Sequence, residues 1–152
     1  MKLDARARSF LRESMIARLA TLSGSGSPRL TPLWFVLHRG RIYMNTRADS
    51  PAARDIRGDA RVVVLFRRDR SADAAKTLRL IGRAQFLTDS AVNRRMYVGA
   101  ALKYHLSPGG IRNFLAGLGS LRERILYYRE RAGEAGTIEV TPESVEWLDP
   151  SA

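Results

Sequence analysis

Apolar and polar residues alternate with a period of two through several stretches of the chain, which predicts β-strands. The predicted strands cover residues 16–22, 28–38, 41–46, 61–68 and 77–87. Most of the loops between them are short, and Arg39-Gly40 predicts a tight hairpin turn. A flexible turn at 23–27 joins the first two strands. Such a series of strands is typical of a small antiparallel barrel.

Two short helices are predicted around these strands. The first runs from an Asp4 N-cap to about Glu13. The second covers residues 48–58, where Asp49 or Ser50 serves as the N-cap. It lies between the third and fourth strands.

The pattern changes from period two to a helical period after residue 88. Apolar residues recur every four positions at Val92, Met96, Ala100 and Tyr104, and two further helical pieces extend the segment to Arg131. We expect this helical insertion, residues 89–131, to cover the barrel or to form a wall of a substrate pocket. Residues 136–141 and 144–148 then alternate as two final strands, separated by Pro142-Glu143.

Leu33–Leu37 is apolar on both faces, which predicts a central strand. Pro32 lacks an N–H group, so we expect it at a bulge or where a ladder hydrogen bond is missing. Backbone groups freed there can bind a ligand, and a simple bend of a barrel strand is the alternative. Gly82 predicts a second irregularity, a β-bulge.

The length of 152 residues is consistent with a single domain spanning 1–152. The absence of cysteine excludes disulfides, thiolate metal sites, iron–sulfur clusters and thiol nucleophiles. The two histidines, His38 and His105, are far apart and suggest no metal site. The first residues are charged and the apolar runs are too short to span a bilayer, so we expect a soluble cytoplasmic protein without membrane association.

The formal net charge of +11 favours anionic partners such as nucleic acid, phosphorylated cofactors and acidic lipids. All 26 basic residues lie within residues 1–131, whereas five of the 15 acidic residues follow. The arginines are spread over nearly every element, and no nucleic-acid-binding motif is visible. Nucleic-acid binding is therefore an alternative in a non-specific, electrostatic form.

No catalytic side chain can be assigned from the pattern. There is no G-x-S-x-G nucleophile elbow, and neither histidine has a triad context. Acidic residues are scarce outside the helices and the C-terminal part, which argues against a pair of catalytic carboxylates. The remaining option is a bound cofactor that carries its own chemistry.

Four segments in succession carry a resemblance to a known family: ATL followed five residues later by PRLTPLWFV, then GRIYMNTRADS, a short helix, and DARVVVLF. This succession resembles the pyridoxamine 5′-phosphate oxidase-like split-barrel family, and within it the flavin and deazaflavin oxidoreductases. The resemblance covers about residues 16–87 and, more loosely, the final strands. It implies a mainly β fold with helices, a six-stranded antiparallel split β-barrel. It also implies a homodimer with FMN or the deazaflavin coenzyme F-420 bound at the subunit interface.

The resemblance also implies cofactor-binding residues. Those beside the ring would be Thr31, Pro32, Leu33 and Trp34, and those near the ribityl chain and phosphate Asn45, Thr46, Arg47 and Ser50. Ala52 and Asp55 stand where family members often have a lysine and an asparagine. The charge opposite the phosphate would then come from Arg47 or Arg54. Trp34 either stacks on the ring or fills the core.

Three functional hypotheses follow. The leading one is a homodimeric oxidoreductase that transfers a hydride between FMN or coenzyme F-420 and a small organic substrate. The second is a non-catalytic protein that binds a flavin or a haem-type ligand. The third is a basic nucleic-acid-binding barrel.

Overall fold

The computed structural model describes residues 3–67, 77–105 and 135–148. Within these ranges the chain forms three helices and six strands: α1 Ala5–Glu13, β1 Ile16–Leu22, β2 Pro28–His38, β3 Arg41–Arg47, α2 Pro51–Gly58, β4 Arg61–Arg67, β5 Thr77–Leu87, α3 Ser90–His105 and β6 Ala135–Leu148. The bounds of the first five strands agree with the prediction to within a residue.

The six strands form one closed barrel in the order β1-β2-β3-β6-β5-β4, and every pair is antiparallel. This confirms the predicted six-stranded antiparallel barrel. Its interior holds side chains that alternate along each strand, as the period of two requires. The largest fully buried ones are Phe35, Phe66, Leu11, Leu19, Ile42, Met44, Leu78 and Leu80.

The hairpin between β2 and β3 has the predicted turn. Arg39 and Gly40 have φ angles of 50° and 78°, the left-handed conformation that a two-residue hairpin of the primed type requires. Glycine adopts it without strain, whereas Arg39 does so at some steric cost.

α1 begins at the predicted cap, where the Asp4 carboxylate accepts a hydrogen bond from the Ala7 N–H at 2.6 Å. One face of the helix, including Phe10 and Leu11, is buried in the barrel core. The Phe10 ring meets Trp147 of β6 edge-on at 5.0 Å. α1 is thereby fixed against the barrel.

α3 packs on the outside of β2, β3 and β6. The Asp89 carboxylate accepts hydrogen bonds from the Ala91 and Val92 N–H groups at the start of the helix. Met96 and Tyr104, two members of the predicted apolar stripe, are buried. Gly99 faces β2 so closely that a Cβ atom there would lie 3.2 Å from a methyl group of Val36. The rest of the predicted helical insertion, residues 106–131, lies outside the described ranges.

The two predicted final strands are one strand, β6, which corrects the prediction. Ile81 of β5 pairs with Ser144 and Gly82 pairs with Pro142, so Glu143 is an extra residue in β6. The irregularity predicted at Gly82 is present, but its extra residue belongs to the partner strand. A Cβ atom at Gly82 would overlap the Thr141 carbonyl group.

None of the helices in the described ranges is both long enough and apolar enough to cross a membrane.

Candidate functional site

β2 changes its neighbour in the middle of its length. Pro28–Trp34 pairs with β1, whereas Phe35–His38 pairs with β3. The last residues of β3, Asn45–Arg47, pair with β6 on their other side. In the described part of the chain, no strand joins Pro28–Trp34 to Asn45–Arg47, and we call the gap between them the split. β2 therefore lies between two strands as predicted, but each half has one free edge.

Pro32 lies on the free edge that faces the split. The Tyr104 hydroxyl is hydrogen-bonded to both the Phe35 N–H and the Met15 carbonyl. The backbone N–H group of Phe35 therefore points toward β1. The backbone groups of successive residues point to opposite edges of a strand. The backbone groups of Leu30, Pro32 and Trp34 therefore point toward the split. The pairing of β2 with β1 is continuous through Pro32, without a bulge. The second predicted alternative, a missing ladder bond, is the one observed.

Trp34 does not fill the core. Its side chain is on the outer face of β2, opposite to the buried Phe35, and the residue is 47% exposed. One face of its indole stacks on the Tyr104 ring of α3, with centroids 4.7 Å apart and planes 16° from parallel. Leu30, on the same face of β2, is 57% exposed.

Tyr104 closes the free edge on the other half of β2. Its hydroxyl accepts a hydrogen bond from the Phe35 N–H at 3.0 Å and donates one to the Met15 carbonyl at 2.6 Å. These two backbone groups would otherwise lack partners where β1 and β2 separate. Burial raises the pKa of Tyr104 to about 12, so its hydroxyl remains a donor at physiological pH.

Lys103 lies beside Tyr104 and points into the same junction. Its ammonium group is 3.2 Å from the Leu11 carbonyl, near the end of α1, and 3.4 Å from the Phe35 carbonyl. It also lies 3.4 Å from the centre of the Phe35 ring. No carboxylate in the described ranges forms an ion pair with it. Burial lowers the pKa of Lys103 to about 7.

The second half of the candidate site is the α2 corner, residues 46–54. Ser50 is the N-cap of α2, and its hydroxyl accepts a hydrogen bond from the Ala53 N–H at 3.2 Å. The positive end of the helix dipole lies here. A helix start of this kind is suited to an anion.

Two arginines of the corner differ in their partners. Arg47 makes a two-pronged ion pair with Asp49, with N–O distances of 2.8 and 2.7 Å. These hydrogen bonds lower the pKa of the Asp49 carboxyl group, and the charge of Arg54 acts in the same direction. Arg54 is exposed, and no ion pair of Arg54 is present in the described ranges.

Ala52 and Asp55 face the barrel. Ala52 is 1% exposed and belongs to the core. The buried Asp55 carboxylate accepts hydrogen bonds from the Thr21 hydroxyl at 2.8 Å and from Arg29 at 3.0 Å. The aspartate thus ties α2 to β1 and β2, and it brings the guanidinium group of Arg29, whose side chain is 45% exposed, to the same helix.

Asn45 is held on the outer face of β3. The hydroxyl of Thr137 lies 3.1 Å from the Asn45 side-chain oxygen and also contacts Asn93 of α3. A hydroxyl carries one proton, so one of the two amides must turn its NH2 group toward Thr137. Asn45 therefore connects β3 to α3 through a hydrogen-bonded relay.

The nine residues expected at the site fall into three places. Thr31 and Leu33 share the inward face of β2 with Phe35, whereas Pro32 and Trp34 are on its outer face. Asn45 belongs to the relay under α3. Thr46, Arg47, Ser50 and Arg54 lie along the α2 corner, where β3 ends. The residues of β2 therefore lie on one side of the split, and those at the end of β3 and in the α2 corner lie on the other.

The family model for pyridoxamine 5′-phosphate oxidase matches residues 3–146, which is nearly the whole chain. The chain belongs to the pyridoxamine 5′-phosphate oxidase family. This confirms the resemblance found in the sequence. No curated protein matches the chain.

Solved structures of this family's fold are similar over almost the full length. The conserved hypothetical protein Rv2991 from Mycobacterium tuberculosis has a TM-score of 0.74 at 21% identity, covering 99% of this chain and 86% of its own. An F420 reductase has a TM-score of 0.66 at 13% identity, with coverages of 95% and 98%. General stress protein 26 from Bacillus anthracis has a TM-score of 0.61 at 16% identity, with coverages of 93% and 94%. At these identities the similarity shows the shared fold.

Sequence reasoning missed three residues of this family member's candidate site. Tyr104 was predicted only as part of an apolar stripe, while Lys103 and Arg29 were not singled out. The sequence holds one signal for Lys103: the chain has few lysines, and this one directly precedes Tyr104 of the apolar stripe. The contacts of all three join residues 26 to 92 positions apart, so no local pattern reveals them.

Proposed function

We propose that the protein is a homodimeric oxidoreductase that binds FMN or the deazaflavin coenzyme F-420 and transfers a hydride between this cofactor and a small organic substrate. The observation that carries the proposal is the free edge of β2 beside an exposed tryptophan, next to the arginine-bearing α2 corner, in a barrel of the pyridoxamine 5′-phosphate oxidase family. The F420 reductase among the similar structures supports the deazaflavin as one of the two candidates.

The free edge of β2 suits a flat ring. Leu30, Pro32 and Trp34 direct backbone carbonyl groups toward the split, and Leu30 and Trp34 also direct N–H groups there. Both cofactors carry amide-type donors and acceptors along one edge of the ring, which these backbone groups can bind. The exposed face of Trp34 adds an apolar surface next to them. Thr31 and Leu33, on the inward face, would hold the strand in place from below.

The α2 corner suits the phosphate. It combines the positive end of α2 and the Ser50 hydroxyl with the guanidinium groups of Arg47 and Arg54. The Arg47–Asp49 pair is exposed to solvent, and such surface pairs contribute little to stability. A phosphate dianion can therefore replace Asp49 as an ion-pair partner of Arg47. Thr46, near the end of β3, would contact the ribityl chain together with Asn45.

The chain's own residues would bind and orient the cofactor and keep water from one side of it. When bound, FMN or the deazaflavin supplies the hydride chemistry. The free β2 edge would set the plane of the ring, and the α2 corner would set its direction. We assign no catalytic acid or base to any side chain.

The exposed apolar residues next to the split support a homodimer. Leu30 and Trp34 on β2, together with Val98 and Leu102 on α3, are 47–57% exposed. Exposed large apolar side chains such as these are candidates for a contact surface. A second subunit covering them would place the cofactor at the subunit interface.

Titration of the purified protein with FMN and with coenzyme F-420 tests the proposal. We expect one of the two to bind at micromolar concentration or below, with a change in its absorbance or fluorescence. Failure of both to bind would overturn the proposal. Binding without turnover of any reductant would favour the non-catalytic ligand-binding protein, and salt-sensitive binding of oligonucleotides by a cofactor-free protein would favour the nucleic-acid-binding barrel.

The phosphate assignment has its own test. Replacing both Arg47 and Arg54 with alanine should weaken cofactor binding by about tenfold to hundredfold, because charge-assisted hydrogen bonds to the phosphate are lost. Arg61→Ala is the matched control, since Arg61 is an exposed arginine paired with Asp59 beyond the other end of α2. Equal affinities of the double variant and the control would place the phosphate elsewhere.

A further inference from the structure

The stacked pair of Trp34 and Tyr104 leaves one face of the indole uncovered. Tyr104 covers the other face in a nearly parallel stack at 4.7 Å. Trp34 is nevertheless 47% exposed, which is high for a tryptophan in a barrel strand. Its indole stands on the half of β2 that borders the split. The backbone of Trp34 belongs to the edge proposed for the cofactor ring, so the indole lies beside that edge.

We propose that Tyr104 is a positioning residue, which backs the Trp34 indole so that its free face stacks on the cofactor ring. This inference rests on the proposed function and deepens it, because it assigns to α3 a part in cofactor binding. The result would be a three-layer stack of tyrosine, tryptophan and cofactor.

The anchoring of Tyr104 makes its ring a rigid support. Its hydroxyl bridges Met15, which directly precedes β1, and Phe35 of β2, and both are the first residues beyond the paired part of the two strands. Lys103, the preceding residue, contacts the Phe35 carbonyl and the Leu11 carbonyl of α1. The last turn of α3 is therefore attached to α1, to β2 and to the residue that precedes β1. Such second-layer support is what keeps a binding residue in the orientation it needs.

The ring and the hydroxyl of Tyr104 have separable roles. The ring touches Trp34, whereas the hydroxyl satisfies backbone groups of Met15 and Phe35. If Tyr104 only stabilised the fold, both its ring and its hydroxyl would contribute to that stability. A positioning role for the cofactor depends on the ring.

The test compares Tyr104→Phe, Tyr104→Leu and wild type in cofactor titrations and in thermal unfolding. Tyr104→Phe keeps the ring, so we expect an affinity within about threefold of wild type, together with a lower Tm because the Phe35 N–H loses its partner. Tyr104→Leu removes the ring, and we expect a loss of affinity of roughly fivefold to tenfold, the range of an aromatic stacking contact. The bound cofactor's absorption band should shift in Tyr104→Leu and not in Tyr104→Phe.

Met96→Ala is the matched control. Met96 is a buried residue of the same helix and is 4% exposed, so its truncation weakens the packing of α3 without touching Trp34. We expect a lower Tm with wild-type affinity. If affinity falls together with Tm in all three variants, the role of Tyr104 is structural only and the inference is wrong.

The remaining outcomes separate this inference from the proposed function. Wild-type protein that binds neither FMN nor coenzyme F-420 overturns the proposed function and this inference together. Wild-type protein that binds one of them while Tyr104→Leu binds it equally well overturns this inference alone.

Discussion

Lys103 keeps its amino group in a buried junction that has no carboxylate partner in the described ranges. Two backbone carbonyls and the face of the Phe35 ring surround it. Burial favours the neutral amine and lowers the pKa of Lys103 from 10.5 to about 7. Because it is desolvated, the group changes its charge close to physiological pH.

This pKa predicts a rise of stability with pH. Between pH about 7 and 10.5 the unfolded chain binds one proton more than the folded chain at this position, so folding is favoured increasingly as pH rises. Below pH about 7 the amine is protonated in both states and the contribution is smallest. Lys103→Met should remove a slope of up to about 1.4 kcal/mol per pH unit.

Chemical unfolding of wild type and Lys103→Met at several pH values from about 6 to 10 measures this slope. The contributions of all other groups cancel in the difference between the two proteins. Two curves that run parallel over the whole range would contradict the prediction.

At the scale of elements, the bulge of β6 allows one long strand to replace the two that were predicted. Pro142 is buried in phase with Val140, and the extra residue Glu143 shifts the phase by one, so that Val145 turns to the same face and the strand continues to Leu148. The residue of β5 opposite the bulge, Gly82, must be glycine, because a Cβ atom there would overlap the Thr141 carbonyl group. Backbone cannot move aside as a flexible side chain can.

Gly82→Ala should therefore destabilise the protein by about 1–3 kcal/mol, the usual cost of overpacking. Gly24→Ala is the control, because nothing lies within 4 Å of a Cβ atom at that turn position. Urea unfolding of the two variants provides the comparison. A Gly82→Ala variant as stable as Gly24→Ala would show that β5 and β6 can separate at the bulge without cost.

The whole molecule combines a strong positive charge with an apolar area at the split. Like charges on two copies repel, so the apolar contact must outweigh this repulsion for a dimer to form. We expect a dimer in solution that tightens as the salt concentration rises, since salt screens the repulsion.

Leu30→Asp should weaken this dimer, because it places a charge on the exposed outer face of β2 beside the split, where Leu30 is 57% exposed. Thr88→Asp introduces the same charge at an exposed position before α3 and should leave the dimer unchanged. Sedimentation velocity measures both. A Leu30→Asp protein that remains as dimeric as Thr88→Asp would exclude this face as the interface.

The sequence by itself determined the barrel, the bounds of its first five strands, the caps of its first two helices and the family. Strand alternation, the hairpin at Arg39-Gly40 and the caps at Asp4 and Ser50 act over a few residues, so they can be read locally. Only the tertiary structure decided that β2 changes partner at Trp34. The pattern of apolar residues shows which face of a strand is buried, but the edge that stays unpaired depends on where distant strands diverge.

The same distinction holds for the site. The types of residue at Ser50, Arg47 and Arg54 pointed to an anion, whereas the partners of Asp55, Asn45 and Tyr104 lie far away in the chain. Packing decided that Trp34 faces outward onto Tyr104, because the interior at this level is filled by Phe35 and Phe66, whose rings lie 4.8 Å apart. The free edge of β2 and the exposed indole of Trp34 beside it exist only once the barrel has closed.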